Sequence, residues 1–222
     1  MSQNKHTKKA IPKGTATKSA AKPSPLTKKN LLIGGIAALL LIAVLFTVLF
    51  LTVLRPFRET DEVTRFVAIE VEDYGTIIVK LKPGTAPITV ENFQNLVADG
   101  IYDGSCFHRI IEGFMIQGGE PTADKPIPEE IKGEFAANGI ENNLRHKRGV
   151  ISMARTQVYD SATSQFFIVH DSEGAAHLDG SYAAFGKVVR GMDVVDKIAA
   201  ARTDYTDAPL RTIEITRAYF VK

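Results

Sequence analysis

Beginning at Val67, apolar residues alternate with polar or small ones: Val67, Ile69 and Val71, a turn through Asp73-Tyr74-Gly75, then Ile77, Val79 and Leu81. A period of two places these side chains on one face of a pleated ribbon, so the segment predicts a β-hairpin. The period then lengthens. Phe93, Leu96 and Val97 recur at helical spacing behind Pro87, which suits a first helical turn, and Gly100 offers a C-terminal stop. Short β-rich runs follow at residues 107–111, 114–117, 150–153, 165–169, 185–189 and 213–221, and a second helix fits 192–201. Eight short strands, two helices and no repeated strand-helix alternation predict a mainly β domain over residues 66–222, an antiparallel barrel or sandwich. No internal repeat interrupts it.

A different pattern precedes this domain. Residues 31–54 form a run of 24 without a charge, which as a helix would reach about 36 Å against a hydrocarbon core of about 30 Å. A buried soluble helix and a cleaved signal peptide are the alternatives. The run is long for a signal sequence, and no small-x-small site follows before Arg55. The reading adopted is an uncleaved transmembrane helix that places the chain in a lipid bilayer. Residues 1–30, with Pro12, Pro23 and Pro25 and no apolar period, read as a disordered lysine-rich tail, and 55–65 as a charged linker.

Charge adds an orientation. Of 27 Lys and Arg, eight lysines lie in residues 1–30, which hold no Asp or Glu, so the remainder has 19 basic and 25 acidic residues. The pI near 8.6 therefore belongs to the tail, and no nucleic-acid partner is expected. Positive flanks tend to stay cytoplasmic, so the expected topology is a single-pass cell-membrane protein with its N-terminus inside and its large domain extracytoplasmic.

Composition narrows the chemistry. In 222 residues with 45% apolar content there is enough to bury a core, and the single cysteine, Cys106, excludes an internal disulfide framework and a multi-cysteine zinc site. The sequence contains no G-x-x-x-x-G-K-[ST], no strand-borne G-x-G-x-x-G and no G-x-S-x-G. His170 and His177 lack the spacing of a zinc-binding helix, and Cys106 reads as an inert, buried thiol. No metal or cofactor is expected. What stands out is a set of apolar runs broken by single polar residues: 107–111, 113–119 and 164–168. On strand spacing Phe107 projects with Arg109, and Met115 with Gln117. Arg109 then either pairs with a surface carboxylate while the aromatics fill the core, or serves a site among them.

The run F-H-R-I-I-x-G-F-M-x-Q-G-G, from Phe107 to Gly119, resembles the signature of the cyclophilin-type peptidyl-prolyl isomerases. The resemblance continues in order through G-V-I-S-M-A (Gly149 to Ala154), S-Q-F-F-I (Ser164 to Ile168), L-D-G (Leu178 to Gly180) and F-G-K-V (Phe185 to Val188). It implies an eight-stranded antiparallel barrel capped by two helices, and an enzyme that accelerates X-Pro bond rotation in proline-containing polypeptides. That reaction needs no nucleophile, because its barrier is amide resonance. An apolar pocket that holds the proline ring, with a cation near the prolyl nitrogen, favours the twisted amide over the planar one.

The resemblance also assigns roles. Phe114, Met115, Phe167 and Leu178 would line the proline pocket, Arg109 would donate to the prolyl nitrogen, and Gln117 would orient Arg109 and the substrate carbonyl. Gln165 and the backbone near Ala154 and Arg155 would bind the peptide as an extended segment. His177 stands where many eukaryotic members carry tryptophan, which bears on cyclosporin-type inhibitor binding more than on catalysis. Arg155 replaces a common asparagine, and Tyr182 a frequent pocket histidine that its aromatic hydroxyl can replace as a wall. The connection from Glu120 to Arg148 is this chain's own and is placed to reshape one rim of the groove. The expected function is an isomerase that assists folding of exported or surface proteins. The alternatives are a membrane-anchored proline-peptide-binding module or chaperone with little turnover, and a scaffold acting through its lysine tail.

Overall fold

The computed structural model describes residues 66–221. The expected tail (1–30), transmembrane helix (31–54) and linker (55–65) lie outside the described residues, among which no helix is long and apolar enough to cross a membrane. The hairpin forms as the alternation requires, from β1 (Phe66–Val71) and β2 (Gly75–Leu81), with Ile69 opposite Ile77. Six more strands follow: β3 (Ser105–Ile111), β4 (Met115–Gly118), β5 (Val150–Met153), β6 (Phe166–Val169), β7 (Ala184–Arg190) and β8 (Glu214–Val221). All pairings are antiparallel, and the eight strands close into a barrel in the order β1-β2-β7-β5-β6-β4-β3-β8. Closure leaves no sheet edge to be protected.

Adjacent residues on the wall serve two different apolar layers. Ile116, Ile151, Phe166 and Ile168 belong to the main core, whereas Met115, Val150, Phe167 and Val169 pack in a second cluster on the other face. Helix α1 (Pro87–Ala98) contributes Phe93 to the main core, where its ring lies 5.1 Å from Tyr102 and 5.0 Å from Phe185. Helix α3 (Met192–Ala199) adds Val194, Val195 and Ile198 to the same core. A short helical turn, α2 (Ser172–Ala175), makes three α-helical segments among the described residues where the sequence predicts two. It is too short for a readable period and starts from Asp171, whose carboxylate accepts from the Glu173 N–H.

Strand β3 departs from the alternation. Phe107 pairs with Gly118, but Arg109 pairs with Gln117, so the ladder shifts register between Phe107 and Arg109. This is a β-bulge, and it reverses the facing of every residue beyond it. Phe107 and Ile110, three apart, both enter the main core, while Arg109 is left half-exposed. The expectation that Phe107 and Arg109 share a face is therefore corrected. Gly118 allows the close approach, since a Cβ there would lie 2.7 Å from the Cys106 carbonyl oxygen.

Two buried polar groups brace the frame. The connection between β4 and β5 carries Glu134, 2% exposed, whose carboxylate accepts from the Ile88 N–H at 3.1 Å and the Thr89 N–H and hydroxyl, both at 2.7 Å. Helix α1 has no side-chain cap of its own at Ala86 and begins with a proline. Its orphan donors and positive end are thus satisfied by a carboxylate from far along the chain. The same connection reaches the groove side of the protein through Phe135, whose ring meets Tyr159 edge-on at 5.4 Å.

His146 is the second brace. Its ring stacks on Phe167 at 5.8 Å, with Nδ1 3.0 Å from Asp179 Oδ1 and Nε2 3.0 Å from Ser152 Oγ. A carboxylate only accepts, so the neutral ring donates from Nδ1 and accepts the serine hydroxyl at Nε2. Burial pushes the His146 imidazole below its usual range, against the smaller upward pull of Asp179. Burial raises Asp179, but the bonds from the His146 backbone and ring and from Arg145 outweigh it and leave the carboxyl below its ordinary value.

Replacing Glu134 by Ala should destabilise the domain by about 2–3 kcal/mol in urea unfolding, with Glu134→Gln losing less because its amide oxygen still accepts. A loss no greater than that of a surface Glu→Ala control would contradict the capping role. For His146, the lowered folded value means the unfolded chain takes up the proton first. The stability from the neutral ring is complete above about pH 6.5 and is lost as pH falls through the lowered folded value. Urea midpoints at pH 7 and pH 5 should therefore separate more for the wild type than for His146→Asn; equal separations would refute this.

Candidate functional site

Strand pairing alone assembles a row across the outer face of the barrel wall. Arg109 on β3 lies opposite Gln117 on β4, Gln117 opposite Phe167 on β6, and Phe167 opposite Ser152 on β5. Cross-strand partners on one face have Cβ atoms about 5 Å apart, so residues far apart in sequence become immediate neighbours. Met115 joins the row from two positions before Gln117. Over it folds the segment after β6, which supplies Leu178 and Tyr182 to the same apolar cluster.

The result is a cavity enclosing about 430 Å³, solvent at its mouth included. Phe114, Met115, Ala154, Phe167, Leu178 and Tyr182 form its apolar lining, and Arg109, Gln117 and Arg155 its polar side. Nine of the eleven residues singled out from the sequence thus line one space. The other two touch it through a neighbour: Gln165 Oε1 accepts from Gln117 Nε2 at 2.9 Å, and the His177 ring packs against Phe114 at 5.4 Å. An apolar lining with a few convergent polar groups is the usual form of a site for a small ring or side chain.

The polar groups are arranged differently from one another. Arg109 Nε lies 3.4 Å from Asp207 Oδ2, and both side chains are a little over 40% exposed. Gln117, its cross-strand neighbour, is bonded to Gln165 instead. Arg155 is built into the wall: its guanidinium lies 4.5 Å from the Tyr182 ring centre, 5.0 Å from Phe135 and 5.1 Å from Tyr159. It also donates from Nε and Nη2 to the Ser181 carbonyl at 3.1 and 2.7 Å, and from Nη1 to the Thr156 carbonyl at 2.8 Å. This cation holds Tyr182 against the cavity by stacking and by tying down the residue before it.

Other candidates from the sequence have separate partners. His170 Nδ1 accepts from the Gly113 N–H at 3.0 Å, and its Nε2 faces Asp196 at 3.3 Å, so it secures the turn that carries Phe114. Among the described residues no group of three or more His, Cys, Asp or Glu is arranged to hold a metal ion. Cys106 is only partly buried, short of the full burial expected; that partial burial, with Glu120 and Glu214 nearby, still pushes its thiol up, away from the reactive thiolate. The sequence reading did not find Asp207 or His146. Neither carries a local signal, because each acquires its partner only when distant strands close the barrel.

Comparison with known proteins matches this architecture. The family model described as cyclophilin type peptidyl-prolyl cis-trans isomerase/CLD matches residues 66–220. Peptidyl-prolyl cis-trans isomerase A of Dickeya dadantii (strain 3937) is 40% identical over 189 residues, covering 82% of this chain and 97% of the relative. Peptidyl-prolyl cis-trans isomerase B of Escherichia coli (strain K12) is 45% identical over 140 residues, covering 59% of this chain and 82% of the relative. A crystal structure of a Cryptosporidium parvum cyclophilin type peptidyl-prolyl cis-trans isomerase superposes with a TM-score of 0.64 at 29% identity, covering 72% of this chain and 98% of that one. A second crystal structure of that protein, in the presence of the dipeptide Ala-Pro, superposes with a TM-score of 0.63 at 29% identity, covering 71% and 99%. With the barrel, the ordered motifs and these relatives in agreement, the chain belongs to the cyclophilin-type peptidyl-prolyl cis-trans isomerases.

Proposed function

We propose that this isomerase works tethered to a membrane, on exported or surface polypeptides, with Arg109 at the centre of its chemistry. The observation that carries the site assignment is the single cavity shared by Arg109, Phe114, Met115, Gln117 and Phe167. A proline ring enters between Phe114, Met115, Phe167 and Leu178 and is held by exclusion of water. The amide to be turned then lies toward the polar side.

Planar amide resonance gives a barrier of about 18–20 kcal/mol. In the twisted state the prolyl nitrogen regains a lone pair and becomes an acceptor. The Nη groups of Arg109 donate to it there and find no such acceptor in the planar state, so the interaction lowers the barrier without tightening ground-state binding. Gln117 and Gln165, bonded to each other, offer their remaining donors and acceptors to the peptide backbone, and Ala154 lines the path along which the flanking residues extend. The Ala-Pro dipeptide named for the Cryptosporidium relative fits this substrate class.

The membrane context rests on the uncharged run at residues 31–54 and the lysines before it. In this reading the run is a single span in the lipid bilayer, the tail is cytoplasmic and the catalytic domain is extracytoplasmic. A tether confines the enzyme to the surface where newly exported chains emerge and raises its effective concentration there.

Exchange NMR on an X-Pro peptide with the full chain in detergent micelles should show kcat/KM reduced about 10²-fold or more in Arg109→Ala, with peptide affinity largely kept. Unchanged turnover would reject the role of Arg109. Protease added to intact cells should digest the catalytic domain, leaving a membrane-embedded N-terminal fragment; protection until lysis would reverse the proposed topology.

A further inference from the structure

We propose that Asp207 is a positioning residue for the isomerase, acting through Arg109. The inference rests on the role assigned to Arg109 above. Asp207 is fixed to β3 twice. Its side chain faces Arg109 Nε at 3.4 Å, and its own carbonyl accepts from the N–H of Ile110, the next residue on the strand, at 2.8 Å. The carboxylate and the guanidinium are therefore held in register by the main chain beside them.

The turn that carries Asp207 is ordered independently of Arg109. Asp204 Oδ1 accepts from the Thr206 N–H at 2.8 Å, the Thr206 hydroxyl at 2.7 Å and the Ala208 N–H at 3.1 Å. The Asp207 N–H donates to the Asp204 carbonyl at 3.2 Å, and a bridge between Thr203 and Pro209 closes the loop. Asp207 itself takes a left-handed backbone, φ 66°, a conformation that aspartate tolerates better than most side chains. The loop thus presents its carboxylate before any ion pair forms.

Arg109 needs such a partner. It is 44% exposed and belongs to neither apolar cluster, so packing restrains its long side chain only in part, and a loosely held guanidinium spends conformational entropy each time it takes up a working geometry. Gln117, the neighbour across the ladder, is engaged by Gln165. A carboxylate on Nε anchors the base of the planar fork and leaves both Nη groups to the cavity. Because those groups engage the prolyl nitrogen only in the twisted state, the benefit appears in turnover rather than in binding.

The test compares the full chain in detergent micelles with Asp207→Asn, Asp207→Ala, Asp207→Glu and Arg109→Ala, resolving kcat from KM by exchange NMR. Asp207→Asn and Asp207→Ala should lower kcat about three- to tenfold, with KM within about twofold. The Arg109 Nε–H resonance, identified by its absence in Arg109→Ala, should shift and exchange faster with water in both variants. Asp207→Glu should recover part of each effect. An unchanged or raised kcat, or an unmoved Nε–H resonance, overturns the inference. So does a kcat loss that disappears when assays are matched for distance below the melting temperature. If Arg109→Ala is inactive while Asp207→Asn turns over normally, the positioning role alone fails; if Arg109→Ala stays active, the assignment beneath it fails as well.

Discussion

The site depends on one irregularity in one ladder, the bulge between Phe107 and Arg109. In a regular strand Arg109 would share the facing of Phe107 and would enter the main core, where an unpaired guanidinium is prohibitively costly. One extra residue on β3 sends Phe107 and Ile110 inward and turns Arg109 to the face that carries Met115, Gln117 and Phe167. Gly118 opposite the bulge is part of the same constraint, since any Cβ there would meet the Cys106 carbonyl oxygen. The cavity is thus a product of backbone register before it is a product of side-chain choice.

With that register set, a strand of the wall can serve two cores. Phe166 packs edge-on against Phe93, Tyr102 and Phe107 inside the barrel, whereas Phe167 faces the cavity and stacks on His146. Paired aromatics at consecutive positions therefore mean a sheet apolar on both faces. This explains why the runs at 114–117 and 164–168 lack the clean alternation of the β1-β2 hairpin, whose Val67, Ile69, Ile77 and Val79 all point into one core. The hairpin was readable from period alone. The wall strands were readable as strands, but their division into inner and outer faces needed either the tertiary structure or the family resemblance.

Local pattern also misplaces what a defect controls. Spacing put Phe107 and Arg109 on one face because a period of two carries no information about an inserted residue. The long-range carboxylates were equally hidden. Glu134 caps a helix that begins more than forty positions earlier, and Asp179 and Ser152 meet at His146 from opposite sides. In the sequence each is an isolated acidic or hydroxyl residue, for which solvent exposure is the ordinary expectation. Eight of the eleven residues of the candidate site lie inside the ordered motifs and the other three close beside them; of the groups that hold them, Ser152 and Asp179 also lie inside motifs, whereas Glu134, His146 and Asp207 lie between them.

The polar side of the cavity shows why holding matters for this chemistry. Rotation about an amide transfers no proton and forms no covalent bond, so the protein's contribution is confined to shape and to fixed charge. Fixed charge is useful only if it does not have to be organised during the reaction. Arg155 illustrates one solution, a guanidinium immobilised among three aromatic rings and two carbonyls, which stiffens the wall at Tyr182. On the mechanism proposed above, Arg109 cannot be buried in this way, because its Nη groups must stay open to the substrate. In the role proposed for Asp207, an exposed counter-ion at the inner end of the fork restrains the side chain while leaving its outer end free, and the small intrinsic worth of a surface ion pair suits a group that must be steady without being quenched.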